Sequence, residues 1–166
     1  MKLNLLNNNT KAGVLNYLKD ELKIFKIPSL LIISCDDWEK KNKDEIINKI
    51  INYFKSDFLV VRSSFSSEDA LESARAGEFE SVLGVPRNSK NNIKKAIENV
   101  IESYLIKQDS IAGEEILVQE MIQNVAMSGV VFTYDLNTGA PYYVFNYDDI
   151  SGKTDSVTSG KGEYSN

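Results

Sequence analysis

Three observations in the sequence predict an α+β fold with a mixed or antiparallel sheet and flanking helices. From Ser89 to Lys107, apolar residues recur at steps of three, four and seven, the pattern of a helix with one buried face. Two short runs rich in Leu, Ile and Val, Ser29–Ser34 and Phe58–Arg62, have the length and β-branched content of buried strands. Late in the chain, strand candidates follow one another with only turns between them, which gives antiparallel neighbours in place of alternating βαβ units.

The elements follow in order. Thr10 suits a helix cap, and Val14, Leu15, Leu18 and Leu22 then share one helical face. Pro28 ends that unit, and Ser29–Ser34 is the first strand. A second helix is predicted from Lys43 to Lys55, with Ile46, Ile47, Ile50, Ile51 and Phe54 as its apolar stripe. The strand Phe58–Arg62 leads into a Ser-rich loop, and Ser81–Val85 reads as a short strand stopped by Pro86. On the long helix the stripe is Ile93, Ala96, Ile97, Val100, Ile101, Tyr104 and Leu105. Ile116–Ile122 and Val125–Tyr134 are strand candidates around a turn at Gln123-Asn124. Asp135–Pro141 is a turn cluster with Gly139, and Tyr142–Tyr147 returns as a strand.

Composition narrows the function. A chain of 166 residues suits one domain or two small lobes and can bury a core. A net charge of −5 argues against a nucleic-acid partner, which needs a basic face, but not against a nucleotide held by a local cationic cluster. The single cysteine, Cys35, cannot form an internal disulfide, and a cytoplasmic location is expected. Following Leu30-Leu31-Ile32-Ile33, it reads as a buried structural thiol. The lack of histidine excludes Ser-His-Asp and Cys-His nucleophile arrangements within these residues. No apolar run approaches the roughly 18 residues of a membrane span.

The chemistry concentrates at Phe58-Leu59-Val60-Val61-Arg62-Ser63-Ser64-Phe65-Ser66-Ser67-Glu68-Asp69. An arginine at a strand end grips phosphate oxygens through two parallel donors. The serines after it offer hydroxyls and loop amides, and Gly77 permits close backbone approach. The same residues also suit a helix start capped by Ser66 or Ser67, with Glu68 and Asp69 favouring its dipole; both readings stand at this stage. Gly152-Lys153-Thr154 looks like the end of a P-loop, but the glycine required five positions earlier is Tyr147, and that reading fails. The Gly- and Ser-rich tail reads equally as a nucleotide-covering loop or a loose end. Asp148, Asp149 and Asp155 have the carboxylates magnesium prefers, but their turn-like context favours ordinary turn chemistry, and no metal ligand is assigned.

Taken in order, Val61-Arg62-Ser63-Ser64, Ser67-Glu68-Asp69, Ala76-Gly77-Glu78-Phe79-Glu80-Ser81, Leu117-Val118-Gln119-Glu120-Met121-Ile122 and Ser128-Gly129-Val130-Val131-Phe132-Thr133 with Thr138-Gly139 resemble the nucleotide-binding domain of the phosphoenolpyruvate synthase and pyruvate phosphate dikinase family. The resemblance spans roughly residues 10 to 140 and implies an ATP-grasp arrangement, with residues 1–166 as its N-terminal part and the metal-binding and phosphohistidine domains downstream. It implies ATP and Mg²⁺ as cofactors and a small-molecule acceptor bound by the downstream domains, while charge and the lack of a long apolar run argue against a nucleic-acid or membrane partner. By resemblance, Lys11 aligns with the lysine of the family's Gly-Gly-Lys-Gly motif, although Thr10 and Ala12 replace the flanking glycines. Arg62 matches the arginine that contacts the nucleotide phosphates. Gly77 and Ser81 match the Gly and hydroxyl residue along the triphosphate. Gln119 matches the glutamine near the adenosine, with Glu120 to Ile122 as an adenine-facing edge, and Ser128-Gly129-Val130 resembles a structural glycine turn.

The segments Tyr142–Asp149 and Asp155–Gly160 resemble the branch of the family found with capsule-polysaccharide genes, which includes an L-glutamine kinase. That resemblance implies a kinase that splits ATP to AMP and phosphate and passes a phosphoryl group through a histidine on another domain to the glutamine amide. The alternatives are a phosphoenolpyruvate synthase-like enzyme acting on pyruvate, and a non-catalytic nucleotide-binding or interaction module.

Overall fold

The computed structural model describes residues 10–65, 80–106 and 110–157. The chain divides into two compact units, Met1–Met121 and Ile122–Asn166. In the first, helix α1 (Lys11–Glu21) precedes strand β1 (Leu30–Ser34), the short helix α2 (Cys35–Lys40), helix α3 (Lys43–Tyr53), strands β2 (Phe58–Ser64) and β3 (Ser81–Pro86), helix α4 (Lys90–Leu105) and strand β4 (Glu115–Glu120). The sheet order is β1-β4-β2-β3, and every neighbouring pair is antiparallel. The predicted fold class is the observed one.

Period-two alternation gives this sheet two different faces. One carries Ile33, Leu59, Val61, Val85, Ile116 and Val118 into the main core, against Trp38, Ile47, Ile50, Phe54 and the α4 stripe of Ile93, Ile97 and Val100. Leu105, expected in that stripe, is 51% exposed, because Tyr104 takes the buried position of the last turn and the next residue faces away from the core. The other face is covered only in part: Leu30 and Leu117 pack with Ala12 of α1 and the half-buried Leu15, Ile27 and Ile32. Between Leu59 and Val61 the β2–β3 register shifts, so that two residues of β3 oppose one of β2. Gly84, at φ +67°, supplies the left-handed conformation that such a bulge uses.

Helix α2 was not expected. Six residues are too few to show a period, but the reasons for the helix are local: Asp36 and Asp37 sit in its first turn, where the helix dipole favours carboxylates, and Trp38 is buried. Lys40 and Lys41 bond back to Asp36 and Asp37 at 2.7 and 2.8 Å.

A hairpin joining the two late strand candidates does not form. Strand β4 has both edges taken, by β1 and β2, so the chain leaves it at Glu120 and starts a separate sheet in the second unit. Asn124, in the proposed turn, lies in the connection at φ 54°. The second unit pairs β5 (Ser128–Phe132) with β6 (Val144–Asp148) antiparallel. Asp135 builds the predicted turn between them, accepting from Asn137 N, Thr138 N and Thr138 Oγ at 2.8–2.9 Å. Gly129, expected in a turn, lies inside β5 opposite Tyr147, and a Cβ there would sit 2.3 Å from the Asn146 carbonyl oxygen. Close strand approach, not turning, is what requires this glycine.

Candidate functional site

The partly covered sheet face holds Arg62, Ser81 and Gln119, three of the residues expected to bind a ligand. Arg62 in β2 lies directly opposite Ser81 in β3 on one side and Leu117 in β4 on the other. Directly opposed residues of an antiparallel pair share a face, with Cβ atoms about 5 Å apart. Gln119 is two positions along β4 on this face, opposite Val60 and Leu30, a diagonal of roughly 7–8 Å from Arg62. Arg62 is half-buried, Ser81 exposed and Gln119 buried. Among the described residues no ion pair occupies the Arg62 guanidinium. Arg62 and Ser81 share this face as cross-strand neighbours, and a guanidinium and a hydroxyl are residue types suited to an oxyanion.

The start of α1 is tied to the same end of β2. Ala12 N donates to Ser64 Oγ at 2.8 Å, two residues beyond Arg62 on the same face. Gly13 N donates to Thr10 Oγ at 3.0 Å, and Val14 N to the Thr10 carbonyl at 3.0 Å. Thr10 Oγ in turn donates to the Glu115 carboxylate at 2.8 Å. The amides of this helix start are thus already engaged, and a carboxylate already faces its dipole. Lys11 is the first residue of this helix.

Glu120 goes the other way. Alternation places it on the main-core side at the sheet end, where its Oε1 accepts from Lys55 N at 3.3 Å. Burial works to raise its carboxyl pKa, but hydrogen bonds from Lys55, Ser29 and Ser56 outweigh it and hold the group below the ordinary value. Its side chain fastens the loop after α3 and is not among Arg62, Ser81 and Gln119. Gly77 and the serines at 66 and 67 lie outside the described residues, as do the carboxylates at 68 and 69.

Asp148 meets the turn chemistry expected of it. Ser151 donates through both its hydroxyl and its N–H, Ser156 through its side chain and Ile150 through its N–H, and these hold the Asp148 carboxyl far below the usual range. Among the described residues no group of three or more Cys, Asp or Glu side chains is arranged to hold a metal.

The family model for the pyruvate phosphate dikinase AMP/ATP-binding domain matches residues 36–151, more than half of the chain. The chain belongs to this family. Comparisons with curated proteins and with solved structures gave no match. In this dikinase-family domain the matched span contains Arg62, Gly77, Ser81, Gln119 and Glu120, while Lys11 precedes it, next to Ala12, whose N–H donates to Ser64 Oγ. Adenine nucleotide is the ligand class that the family carries. No described helix is long and apolar enough to cross a membrane.

Two residues next to this candidate site carry no motif that marks them as site residues in the sequence. Tyr104 was counted only as part of an apolar stripe, yet its buried hydroxyl accepts from Ser64 N at 2.8 Å and donates to the Glu115 carbonyl at 2.7 Å. A tyrosine within an otherwise aliphatic stripe is itself the signal, because a buried phenol needs a partner. Glu115 carried no motif, and only the strand register reveals its place opposite Ser64.

Proposed function

We propose that this domain binds ATP across the Arg62 face of the sheet as the nucleotide-binding part of a phosphotransferase that releases AMP and phosphate. The observation that supports this reading best is the register that sets Arg62 between Ser81 and Leu117 on the face away from the main core. In the proposed complex the Arg62 fork holds two phosphate oxygens, Ser81 donates its hydroxyl to a third, and Lys11 supplies a second positive charge from α1. Gln119 holds the adenosine end. Gly77 gives the backbone room along the triphosphate, and Glu120 keeps the β4 end in place beside the adenine.

The chain contains no histidine, so a phosphohistidine relay uses a residue outside these 166 positions. The acceptor we favour is the amide nitrogen of L-glutamine, in capsular phosphoramidate synthesis in the cytoplasm; this rests on the resemblance of residues 142–149 and 155–160 to that branch. The second reading is pyruvate as acceptor. Magnesium is expected with ATP, held by the phosphate oxygens with one or two carboxylates; among the described residues no cluster of three or more metal-ligating side chains is present.

The test follows AMP and phosphate by chromatography and the product by phosphorus NMR, with the histidine-bearing domain present. Glutamine-dependent AMP formation and a phosphoramidate signal are expected. Pyruvate-dependent AMP selects the second reading, and ATP binding without turnover on either acceptor makes this a non-catalytic nucleotide module. The 166 residues alone are expected to form no AMP, since transfer needs charge-stabilising groups clamped around the phosphates.

A further inference from the structure

We propose that Ser64 and Tyr104 are positioning residues for the nucleotide phosphates, acting by latching the start of α1 to the end of β2; the inference rests on the nucleotide reading above. The latch is a continuous run of hydrogen bonds. Ala12 N donates to Ser64 Oγ at 2.8 Å, Ser64 N donates to Tyr104 Oη at 2.8 Å, and Tyr104 Oη donates to the Glu115 carbonyl at 2.7 Å. Thr10 Oγ closes the run onto the Glu115 carboxylate at 2.8 Å. Ser64 and Tyr104 are both 0% exposed, and Thr10 is 8% exposed, so water does not readily replace a lost partner.

The latch joins parts that are distant in sequence. Lys11 is bonded through its neighbour Ala12 to Ser64, which stands two residues from Arg62 on one face of β2, while Tyr104 arrives from the far end of α4. Apolar contact between α1 and the sheet is small, limited to Ala12, Leu15, Leu30 and Leu117 with two half-buried isoleucines. Such contact resists separation but not sliding; directional hydrogen bonds fix the position along the strand. The spacing between the two cationic side chains is therefore set by Ser64 and Tyr104, neither of which touches the ligand.

The test is a double-mutant cycle read by equilibrium titration with ATP and, separately, with adenosine. Ser64→Ala is expected to weaken ATP about three- to tenfold, the effect of one hydrogen bond, and to leave adenosine unchanged. In a Lys11→Gln background the same change is expected to cost nothing further, because the group it positions is gone. Tyr104→Phe is expected to repeat the pattern, and if that variant does not fold, Ser64→Ala decides. An equal loss in both backgrounds, an equal loss for ATP and adenosine, or an unchanged ATP affinity overturns the latch. If the unmutated protein does not bind ATP, the nucleotide reading falls and this inference falls with it.

Discussion

The two faces of the four-stranded sheet are built from alternate residues of the same strands, yet they are covered very differently. Leu59, Val61, Ile116 and Val118 point into a closed core with three helices over it. Val60, Arg62, Ser64, Leu117 and Gln119 point to a face that α1 covers only in part. On the proposed function, a one-residue step along β2 or β4 therefore moves from the core to the nucleotide-binding face. On that reading, stability and function are separated by the pleat of a strand, and mutations at neighbouring positions are expected to have unrelated consequences.

The largest effect belongs to the closed face. Leu59→Ala, at a fully buried position, is expected to lower unfolding free energy by about 2–5 kcal/mol through lost burial and a cavity. Denaturant titration measures this, while the ATP affinity of the remaining folded protein stays near its original value. A parallel loss of affinity would break the separation of the faces.

Next is Arg62→Lys, which keeps the charge and removes the planar fork. In the active enzyme, turnover is expected to fall roughly thirty- to a thousandfold, corresponding to about 2–4 kcal/mol of transition-state stabilisation, with little change in melting temperature. Unchanged turnover with a lowered melting temperature would assign Arg62 a structural role instead.

The smallest effect sharpens the comparison at one peptide bond. Glu120 follows Gln119 but fastens the α3–β2 loop on the core side. Its carboxyl pKa is lowered in the folded state, so its contribution to stability is present above the ordinary value of 4.5 and is lost as pH falls below it. Glu120→Gln is expected to flatten the melting-temperature profile below that pH and to leave nucleotide affinity intact. A loss of ATP affinity without any change in the acid profile would place Glu120 at the ligand, as the family resemblance implies.

Legibility in the sequence followed the range of the interaction involved. Helices α3 and α4 and strands β1 to β3 were readable because periodicity and Pro or Ser punctuation are local. Arg62 stood out because an arginine ending a Val-rich run is locally odd. What a strand pairs with is not local: Ile116–Ile122 and Val125–Tyr134 look like a hairpin until β1 and β2 are seen to occupy both edges of β4. The same holds for Tyr104 and Ser64, which are separated by 40 residues and joined by one bond. Helix α2 escaped notice because capping and charge pairing can sustain six residues without an apolar period.

Cys35 turns the closed face into a clock. It is the chain's sole thiol, is 0% exposed at the start of α2, and its N–H is bonded to the Glu114 carbonyl at 2.9 Å. Burial, followed by the nearby carboxylates of Glu114, Glu39, Asp36 and Glu115, pushes its pKa up to about 12. The reactive thiolate is then negligible while the core stays shut. Any labelling at mild pH must count moments when β1 and α2 part from the sheet, with no second sulfur to confuse the record. The unaltered protein thus carries its own single-site reporter of how often its core breathes, and of whether a bound nucleotide on the opposite face slows that opening.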